Sequence, residues 1–219
     1  MLRQESILKR YHQWKNRNRK VFVIGFNKTG TTSTKKALED LGYTLGHQRS
    51  AVLLLDDLSQ GDVTSLIRYC RSAQAFKDLP FSCPGIYKIL DKEFPESKYI
   101  LTIRDSPEQW FTSLVSFHSK ILKTPGVPSH VDLATSNLGP YQGFVLKAVD
   151  FMFPGLPLYC KDGYMNVYDK HNKDVISYFR YRKQDLLVLN VSSATAYKEF
   201  CAFLGHQPLY DRFPWENKT

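Results

Sequence analysis

The sequence has no long hydrophobic run and no closely spaced cysteines, and both absences exclude classes of protein. No apolar stretch approaches the ~20 residues of a transmembrane helix, so no membrane span is expected. Residues 1–20 are polar and basic and lack the apolar core of a secretory signal, which predicts a cytoplasmic location without a membrane partner. The four cysteines, Cys70, Cys83, Cys160 and Cys201, form no CxxC pair, as is typical of buried, reduced thiols rather than a zinc or redox site.

Acidic residues are the scarcer of the two charged classes. The 30 lysines and arginines outnumber the 21 aspartates and glutamates, so the net charge is +9. Such an excess suits an anionic ligand without identifying it. Much of it lies in residues 1–20, but no DNA- or RNA-binding motif accompanies that stretch. We therefore interpret residues 1–20 as a basic arm or a solvated helix and expect no nucleic-acid partner.

Buried strands alternate with helices along the chain. Continuous apolar runs predict strands over residues 21–26, 98–103 and 186–190, and a short strand over 73–76. Strands that are apolar on both faces and separated by helices are typical of a parallel sheet covered on each side. The predicted fold class is therefore α/β, a three-layer sandwich with a central parallel sheet. We expect a single domain over residues 1–219.

The segments between these strands show the periodicity of helices. Helices are predicted over residues 31–41, 48–57, 62–72, 85–94, 167–180 and 197–204, with helical patches around 141–152. A further helix is predicted to begin at Ser106, which Pro107 and Gln109 follow as in a strong helix start. Residues 123–165 are rich in proline and glycine, which is typical of an irregular cap or a substrate loop.

The segment Val21–Ser33 reads as a buried strand, a glycine-containing loop and the start of a helix. Backbone N–H groups and the helix dipole make such a turn an anion site. The ATP-binding pattern G-x-x-x-x-G-K-[ST] fits from Gly25 to Thr32, except that Thr31 stands at the lysine position. The single lysine of the loop, Lys28, precedes the second glycine. The loop is therefore predicted to bind a phosphate or sulfate group with a differently placed cation.

A second cation follows the strand predicted over residues 98–103. Arg104 comes directly after this strand, and its helix begins within a few residues, so an anion there would meet both a guanidinium and a helix start. The hydroxyls of Thr112 and Ser113 lie two turns into that helix. ATPases of the Walker type place an aspartate at this strand end to hold Mg²⁺, and an arginine disfavours a metal. The alternative role for Arg104 is an ion pair with Asp105 or another nearby carboxylate.

Two motifs together resemble the sulfotransferase family, whose donor is 3′-phosphoadenosine-5′-phosphosulfate (PAPS). The loop Asn27–Ser33 resembles the family's 5′-phosphosulfate loop, and Tyr99–Asp105 with the helix after it resembles the 3′-phosphate site. A late Phe-Leu-Gly-His-Gln-Pro at 203–208 is similar to that of the small branch with a K-T-G-T-T-S loop. The resemblance implies a P-loop NTPase-like sulfotransferase fold and an enzyme that needs no metal. It would move a sulfuryl group from PAPS to a hydroxyl or amine of a small-molecule acceptor.

The resemblance also assigns roles to individual residues. Lys28 would stabilise charge on the leaving oxygen, and Arg104 would bind the 3′-phosphate with a hydroxyl of Thr112 or Ser113. Tyr168 would lie near the adenine, although a core tyrosine explains it equally well. Backbone or hydroxyl donors to the 5′ group would come from five loop residues: Thr29, Gly30, Thr31, Thr32 and Ser33.

The catalytic base is where the chain departs from the family. Cytosolic members carry Lys-Thr-His-Leu-Pro, in which the histidine is the base, whereas residues 76–80 read Phe-Lys-Asp-Leu-Pro. Asp78 would replace the histidine, because a positioned carboxylate also acts as a general base. Its alternative role is that of a turn or capping residue. His118 and His47 are further candidate bases, and for His118 the alternative is packing in the core.

The C-terminal segment that closes over the donor in the cytosolic enzymes is absent from this chain. Arg182, Lys183 or the N-terminal basic residues are candidate substitutes. The aromatic stretch Phe144–Phe153 and its flanking loops are predicted to form part of the acceptor pocket.

Two other functions are compatible with the same loop. One is a Mg-ATP-dependent small-molecule kinase, which the threonine at position 31 and Arg104 disfavour. The other is a nucleotide- or anion-binding module without catalysis. The expected partner is a small-molecule acceptor, and a homodimer is left open.

Overall fold

The structure is a computed structural model that describes residues 19–214. Within these residues four parallel strands form one sheet in the order β2-β1-β3-β4. Their bounds are Val21–Val23 (β1), Ala75–Phe76 (β2), Lys98–Thr102 (β3) and Leu186–Leu189 (β4). Because β2 and β3 lie on opposite sides of β1, the strand order reverses at β1. Ligands of open α/β sheets bind at such a switch point, beyond the carboxyl ends of the strands.

Helices connect the strands and continue beyond them. Their bounds are Thr31–Asp40 (α1), Gln48–Ser59 (α2), Thr64–Tyr69 (α3), Ile86–Glu93 (α4), Pro107–Leu122 (α5), His130–Thr135 (α6), Phe144–Met152 (α7), Lys161–Tyr178 (α8) and Ala196–Leu204 (α9), with a 3₁₀ turn at Lys183–Asp185. At the predicted start of α5, the Ser106 hydroxyl accepts a hydrogen bond of 3.1 Å from the backbone N–H of Gln109. None of the helices described between residues 19 and 214 is long and apolar enough to cross a membrane.

The sheet separates two hydrophobic cores. Phe22 of β1 packs into one core, and its neighbours Val21 and Val23 pack into the other, as the alternation of side chains along a strand requires. The Val21 side holds buried residues of α1 and α9, whereas the Phe22 side holds those of α2 to α8. The predicted three-layer α/β sandwich is thus confirmed.

The structure corrects several predicted boundaries. The strand predicted over residues 21–26 ends at Val23, because Ile24 and Phe26 are core residues of the loop rather than of the sheet. Helix α8 begins at Lys161 instead of 167, and the short helix α6 was not predicted. Both helices narrow the segment 123–165 that was interpreted as irregular. The basic stretch of residues 1–18 lies outside the described residues.

Candidate functional site

The carboxyl ends of the strands surround a cavity of about 320 Å³, here called the strand-end pocket. Its wall includes the loop after β1, the segment after β2 and Arg104 after β3. Seven residues predicted for the site line it together: Lys28, Gly30, Thr31, Thr32, Ser33, Asp78 and Arg104. These residues are separated by up to 76 positions in the sequence, so the parallel sheet is what gathers them.

Two glycines let the loop close against the neighbouring strands. A Cβ atom on Gly25 would lie 2.6 Å from the backbone nitrogen of Thr102 in β3, which no real side chain tolerates. Gly30 has a φ of +100°, and a Cβ there would clash with the side chain of Val191. Only glycine therefore permits this path from β1 to α1.

The hydroxyls of the loop face in different directions. Thr29 is buried, and its hydroxyl donates to the carbonyl of Phe26 and also hydrogen-bonds with Thr102, each at 2.5 Å. The Thr29 hydroxyl therefore ties the loop to β3, so the predicted donor from this residue would be its backbone N–H. Thr31, Thr32 and Ser33 form the first turn of α1 and line the pocket.

Lys28 lies in the left-handed region with a φ of 71°. Its ammonium nitrogen lies 4.0 Å from the ring centroid of Phe117, within cation–π distance. Burial lowers the pKa of this ammonium, and the nearby guanidinium of Arg104 lowers it further, whereas Asp78 raises it. Two cations thus share the pocket. Their repulsion raises the free energy of the protein unless an anion lies between them.

Arg104 is fixed from two sides. Its Nε donates to the backbone carbonyl of Lys28 at 2.6 Å, and its own backbone N–H donates to the Tyr168 hydroxyl at 3.0 Å. Asp105 instead accepts hydrogen bonds from Asn190 and Gln109, so the alternative Arg104–Asp105 ion pair is not formed. Within residues 19–214 the two terminal nitrogens of Arg104 have no hydrogen-bond partner, and they are free to bind an anion.

Tyr168 occupies the core behind Arg104. It is 2% exposed, and its ring stacks on Trp110 with centroids 4.5 Å apart and planes 6° apart. This burial matches the core role of Tyr168, whereas its contact with an adenine stays a prediction. Tyr168 positions Arg104 through the hydroxyl, and Trp110 similarly donates to the carbonyl of Asn27 at 3.0 Å.

Thr112 and Ser113 lie on α5 and do not form part of the pocket wall. Thr112 is exposed and Ser113 is half-buried. Ser113 stands one helical turn before Phe117, which does line the pocket, so these two side chains share a face of α5. Of the two predicted hydroxyls, that of Ser113 is the better placed for a phosphate.

A second cavity, of about 160 Å³, adjoins the first and is here called the apolar cavity. Its walls come largely from α5 and α7, and they include the aromatic rings of Phe26, Trp110, Phe117, Phe144 and Phe153. The stretch predicted to line the acceptor pocket therefore does line a cavity. Three residues border both cavities, namely Asn27, Leu79 and Phe117.

The candidate bases lie in different places. Asp78 borders the strand-end pocket and forms an ion pair with Lys77. His118 lines the apolar cavity, and burial together with the nearby charge of Lys28 lowers its pKa to about 4. Nδ1 of His118 lies 2.9 Å from the Tyr159 hydroxyl. His47 is exposed at the start of α2 and borders neither cavity.

Arg182 and Lys183 are candidate substitutes for the segment that closes over the donor, and they do not border the strand-end pocket. They precede β4, so they stand at the amino end of the sheet, opposite the strand-end pocket. Arg182 forms two hydrogen bonds with Asp91, of 3.0 and 2.7 Å. Arg182 therefore has a structural role at that end. The basic residues at 1–18, the other candidate substitutes, lie outside the described residues.

Sequence reasoning missed the roles of Phe117 and Tyr159. The spacing of Phe117 from Trp110 and Leu114 along α5 is typical of a core residue, yet Phe117 lies between the two cavities. Tyr159 belongs to a loop, and its contact with His118 joins residues 41 positions apart. No local signal in the sequence identifies either contact.

Comparison with known proteins identifies the family of the chain. The model of a family described as a sulfotransferase domain matches residues 20–219, which is nearly the whole chain. No curated protein matches the chain. Among residues 19–214 there is no group of three or more histidine, cysteine, aspartate or glutamate side chains that could hold a metal ion.

Proposed function

The chain belongs to the sulfotransferase family, and from this premise we propose that it transfers a sulfuryl group from PAPS to a hydroxyl or amine of a small-molecule acceptor. One observation carries the proposal: two cations, Lys28 and Arg104, leave the ends of adjacent strands and border one pocket with the start of α1. A ligand with two separated anionic groups matches this arrangement, and PAPS has a 5′-phosphosulfate and a 3′-phosphate.

The residues of the strand-end pocket fit such a donor. The first turn of α1 and the ammonium of Lys28 would hold the 5′-phosphosulfate, because helix N–H groups and a nearby cation favour an anion. The free terminal nitrogens of Arg104 would hold the 3′-phosphate, with Ser113 as the nearest predicted hydroxyl. Tyr168 would keep Arg104 in place from behind.

The reaction would break one S–O bond and form a new S–O bond with a hydroxyl acceptor, or an S–N bond with an amine. The bond between sulfur and the 5′-phosphate oxygen breaks, and the acceptor atom forms a new bond to sulfur while its proton goes to a base. Lys28 would stabilise the charge that develops on the leaving phosphate, and fixed charges of this kind supply much of the rate enhancement in enzymes. The products are the sulfated acceptor and adenosine 3′,5′-bisphosphate.

Two side chains could accept the proton. Asp78 borders the pocket in which the donor would bind, whereas His118 borders the adjoining apolar cavity. Since the transferred group passes between these spaces, Asp78→Asn and His118→Asn should be compared in the same assay. The variant that loses turnover while keeping bisphosphate affinity identifies the base.

The donor assignment is tested by thermal denaturation with adenosine 3′,5′-bisphosphate, Mg-ATP or 5′-AMP. A ligand that binds only the folded state raises Tm. We expect the bisphosphate to raise Tm without metal in the wild type and to lose this effect in Arg104→Ala. Arg71→Ala, which removes an exposed arginine that borders neither cavity, is the matched control. Stabilisation by Mg-ATP alone would contradict the proposal.

A further inference from the structure

We propose that the acceptor is an uncharged, largely apolar alcohol or phenol that binds in the apolar cavity with its hydroxyl at Nε2 of His118. This inference rests on the proposed sulfuryl transfer and adds the substrate class and the orientation of the acceptor. It also selects His118, rather than Asp78, as the group that takes the proton.

The chemistry of the cavity wall excludes polar acceptors. Of the residues between 19 and 214 that line it, Asn27 and His118 carry polar side chains, the indole N–H of Trp110 already donates to the Asn27 carbonyl, and none carries a permanent charge. A charged acceptor would lose its hydration here without gaining an opposite charge. A sugar would leave most of its hydroxyls unpaired, and each unpaired buried group is costly. A flat apolar molecule with one hydroxyl meets neither penalty.

The size of the cavity limits the acceptor further. Its volume of about 160 Å³ is below the range of roughly 300–1,000 Å³ that is typical of pockets for drug-sized ligands. One or two fused rings, or a short alkyl chain, suit this space. The aromatic rings of Phe26, Phe117 and Phe153 offer faces and edges to such a ring.

His118 is neutral and has one ring nitrogen that can accept a proton. Its pKa is lowered to about 4 by burial and by the charge of Lys28, so the imidazole is neutral at neutral pH. Because Nδ1 lies 2.9 Å from the Tyr159 hydroxyl, a proton on Nδ1 can be donated to that oxygen. In this tautomer Nε2 carries a lone pair. Nε2 has no hydrogen-bond partner within the described part of the chain and is not enclosed by protein atoms.

The position of the cavity places this nitrogen beside the proposed transfer point. Asn27, Leu79 and Phe117 border both spaces, and the ammonium of Lys28 lies on the Phe117 ring. In the proposed step the acceptor oxygen forms its bond to sulfur as its proton moves to Nε2 of His118. The electron pair of the breaking S–O bond stays with the 5′-phosphate oxygen, near Lys28.

Acceptor selectivity is the first test. With PAPS as donor, we expect the full chain to sulfate 2-naphthol and 1-hexanol and to leave N-acetylglucosamine and a tyrosine-containing acidic peptide unchanged. Ala148→Leu narrows the cavity and should raise KM for 2-naphthol at least 10-fold without changing the affinity for adenosine 3′,5′-bisphosphate. Ala202→Leu, an exposed position on α9 across the sheet, is the matched control.

The role of His118 is tested separately. General-base catalysis contributes about 10²–10⁴-fold, so His118→Asn should lower kcat by at least about 10²-fold and preserve bisphosphate binding. Tyr159 is a positioning residue, and its effect is read from ¹⁵N chemical shifts of the His118 ring. We expect the Nδ1–H tautomer in the wild type and a mixture in Tyr159→Phe. Retention of the single tautomer in Tyr159→Phe would contradict the role of Tyr159.

Binding without turnover separates this inference from the proposed function. Saturation-transfer NMR should detect 2-naphthol on the wild type and not on Ala148→Leu, whether or not PAPS is turned over. Binding that Ala148→Leu abolishes, without sulfation of any acceptor, supports the assigned cavity and contradicts the transfer reaction. Sulfation of sugars, or sulfation of 2-naphthol unaffected by both Ala148→Leu and His118→Asn, would overturn the acceptor class and the base.

Discussion

Lys28 is held more tightly than a surface lysine. Its carbonyl accepts a hydrogen bond from Arg104, and its ammonium lies 4.0 Å from the ring centroid of Phe117. The side chain is thereby fixed at the boundary between the two cavities before any ligand binds. Preorganised charges contribute most to catalysis because they need no rearrangement during the reaction.

Replacing Lys28 should affect turnover more than binding. In Lys28→Met the chain length is similar and the charge is lost, so we expect kcat to fall about 10²–10³-fold through loss of charge stabilisation on the leaving oxygen. Steady-state assays with PAPS and 2-naphthol provide the measurement. Lys35→Met, at a partly exposed position on α1 that borders neither cavity, is the control. Equal rates in wild type and Lys28→Met would remove Lys28 from the mechanism.

The contact between Lys28 and Phe117 should be detectable in the pKa of the lysine. The ring face favours the charged form, so weakening it must lower the pKa of Lys28 further. Successive fluorination of Phe117 keeps the ring shape and weakens its negative face. We expect the pKa, measured by NMR of ¹³C-labelled lysine, to fall progressively, by as much as about one pH unit. A constant pKa across the fluorinated series would show that the ring lines the pocket without stabilising the charge of Lys28.

At the scale of elements, α5 determines the site. One face of this helix supplies Trp110, Leu114, Phe117 and His118 to the apolar cavity, and the residue pair before its cap includes Arg104. The orientation of α5 therefore fixes the proposed base His118 and the proposed 3′-phosphate site together. Its contacts with α8 hold Tyr168 against Trp110.

The cap of α5 should contribute measurably to stability. The Ser106 hydroxyl accepts from the Gln109 backbone, so Ser106→Ala leaves that N–H without its capping partner and should cost about 1 kcal/mol of unfolding free energy. Ser106→Asp should retain most of the stability, because a carboxylate also caps and favours the helix start. Urea denaturation measures both. An Ala variant as stable as the wild type would show that the cap is dispensable.

The loop after β1 should not tolerate a side chain at Gly25. The added Cβ of Gly25→Ala would lie against the backbone of Thr102, so the loop must move away from β3. We expect this variant to lose stabilisation by adenosine 3′,5′-bisphosphate in the thermal assay. Gly126→Ala, whose Cβ would meet no atom within 4 Å, is the control. Unchanged bisphosphate binding in Gly25→Ala would contradict the tight loop.

The elements that the sequence predicts well are those with local signals. The serine cap and the proline of α5 and the apolar run of β3 are encoded by neighbouring residues, and their positions are confirmed. Helix α6 also had a local signal, a capping box between Ser129 and Asp132, but its six residues carry too little periodicity. The early start of α8 has no side-chain cap to reveal it.

The orientation of individual site residues could not be predicted in the same way. Thr29 and Thr31 are equivalent in the motif, yet Thr29 faces β3 because Thr102 offers a hydrogen-bond partner there. Tyr168 matched a family pattern, and only its stacking on Trp110 shows that it is buried. Such choices depend on contacts between distant segments, which a single sequence does not display.

At the scale of the whole molecule, two buried histidines make the stability of the fold depend on pH. His118 lies on α5 and His171 on α8, and burial is the main cause that lowers the pKa of each to about 4. His171 hydrogen-bonds to the Ile24 carbonyl at 2.9 Å, while its Nδ1 is buried without a partner among residues 19–214. Both helices therefore pack around neutral rings, which protonation would disturb.

Stability should consequently fall as the solution becomes acidic. Between pH 6.5 and pH 4 the unfolded chain binds protons at these histidines and the folded chain does not, so unfolding is favoured as pH decreases. The full loss should be roughly 3 kcal/mol for each histidine. Urea denaturation at several pH values measures the slope, and His118→Leu should reduce it by about one proton. A flat profile in the wild type would contradict the burial of neutral rings at these two positions.

The apolar wall around His118 has a further consequence for hydrolysis of the donor. Water stays in a cavity only where two to four polar groups hold it, and this cavity offers the side chains of Asn27 and His118 among the residues described. Without an acceptor, water would therefore be held only weakly in the space next to the proposed base. Weakly held water is a poor competing nucleophile, so an activated sulfate bound in the adjoining pocket would be hydrolysed slowly in the absence of an acceptor.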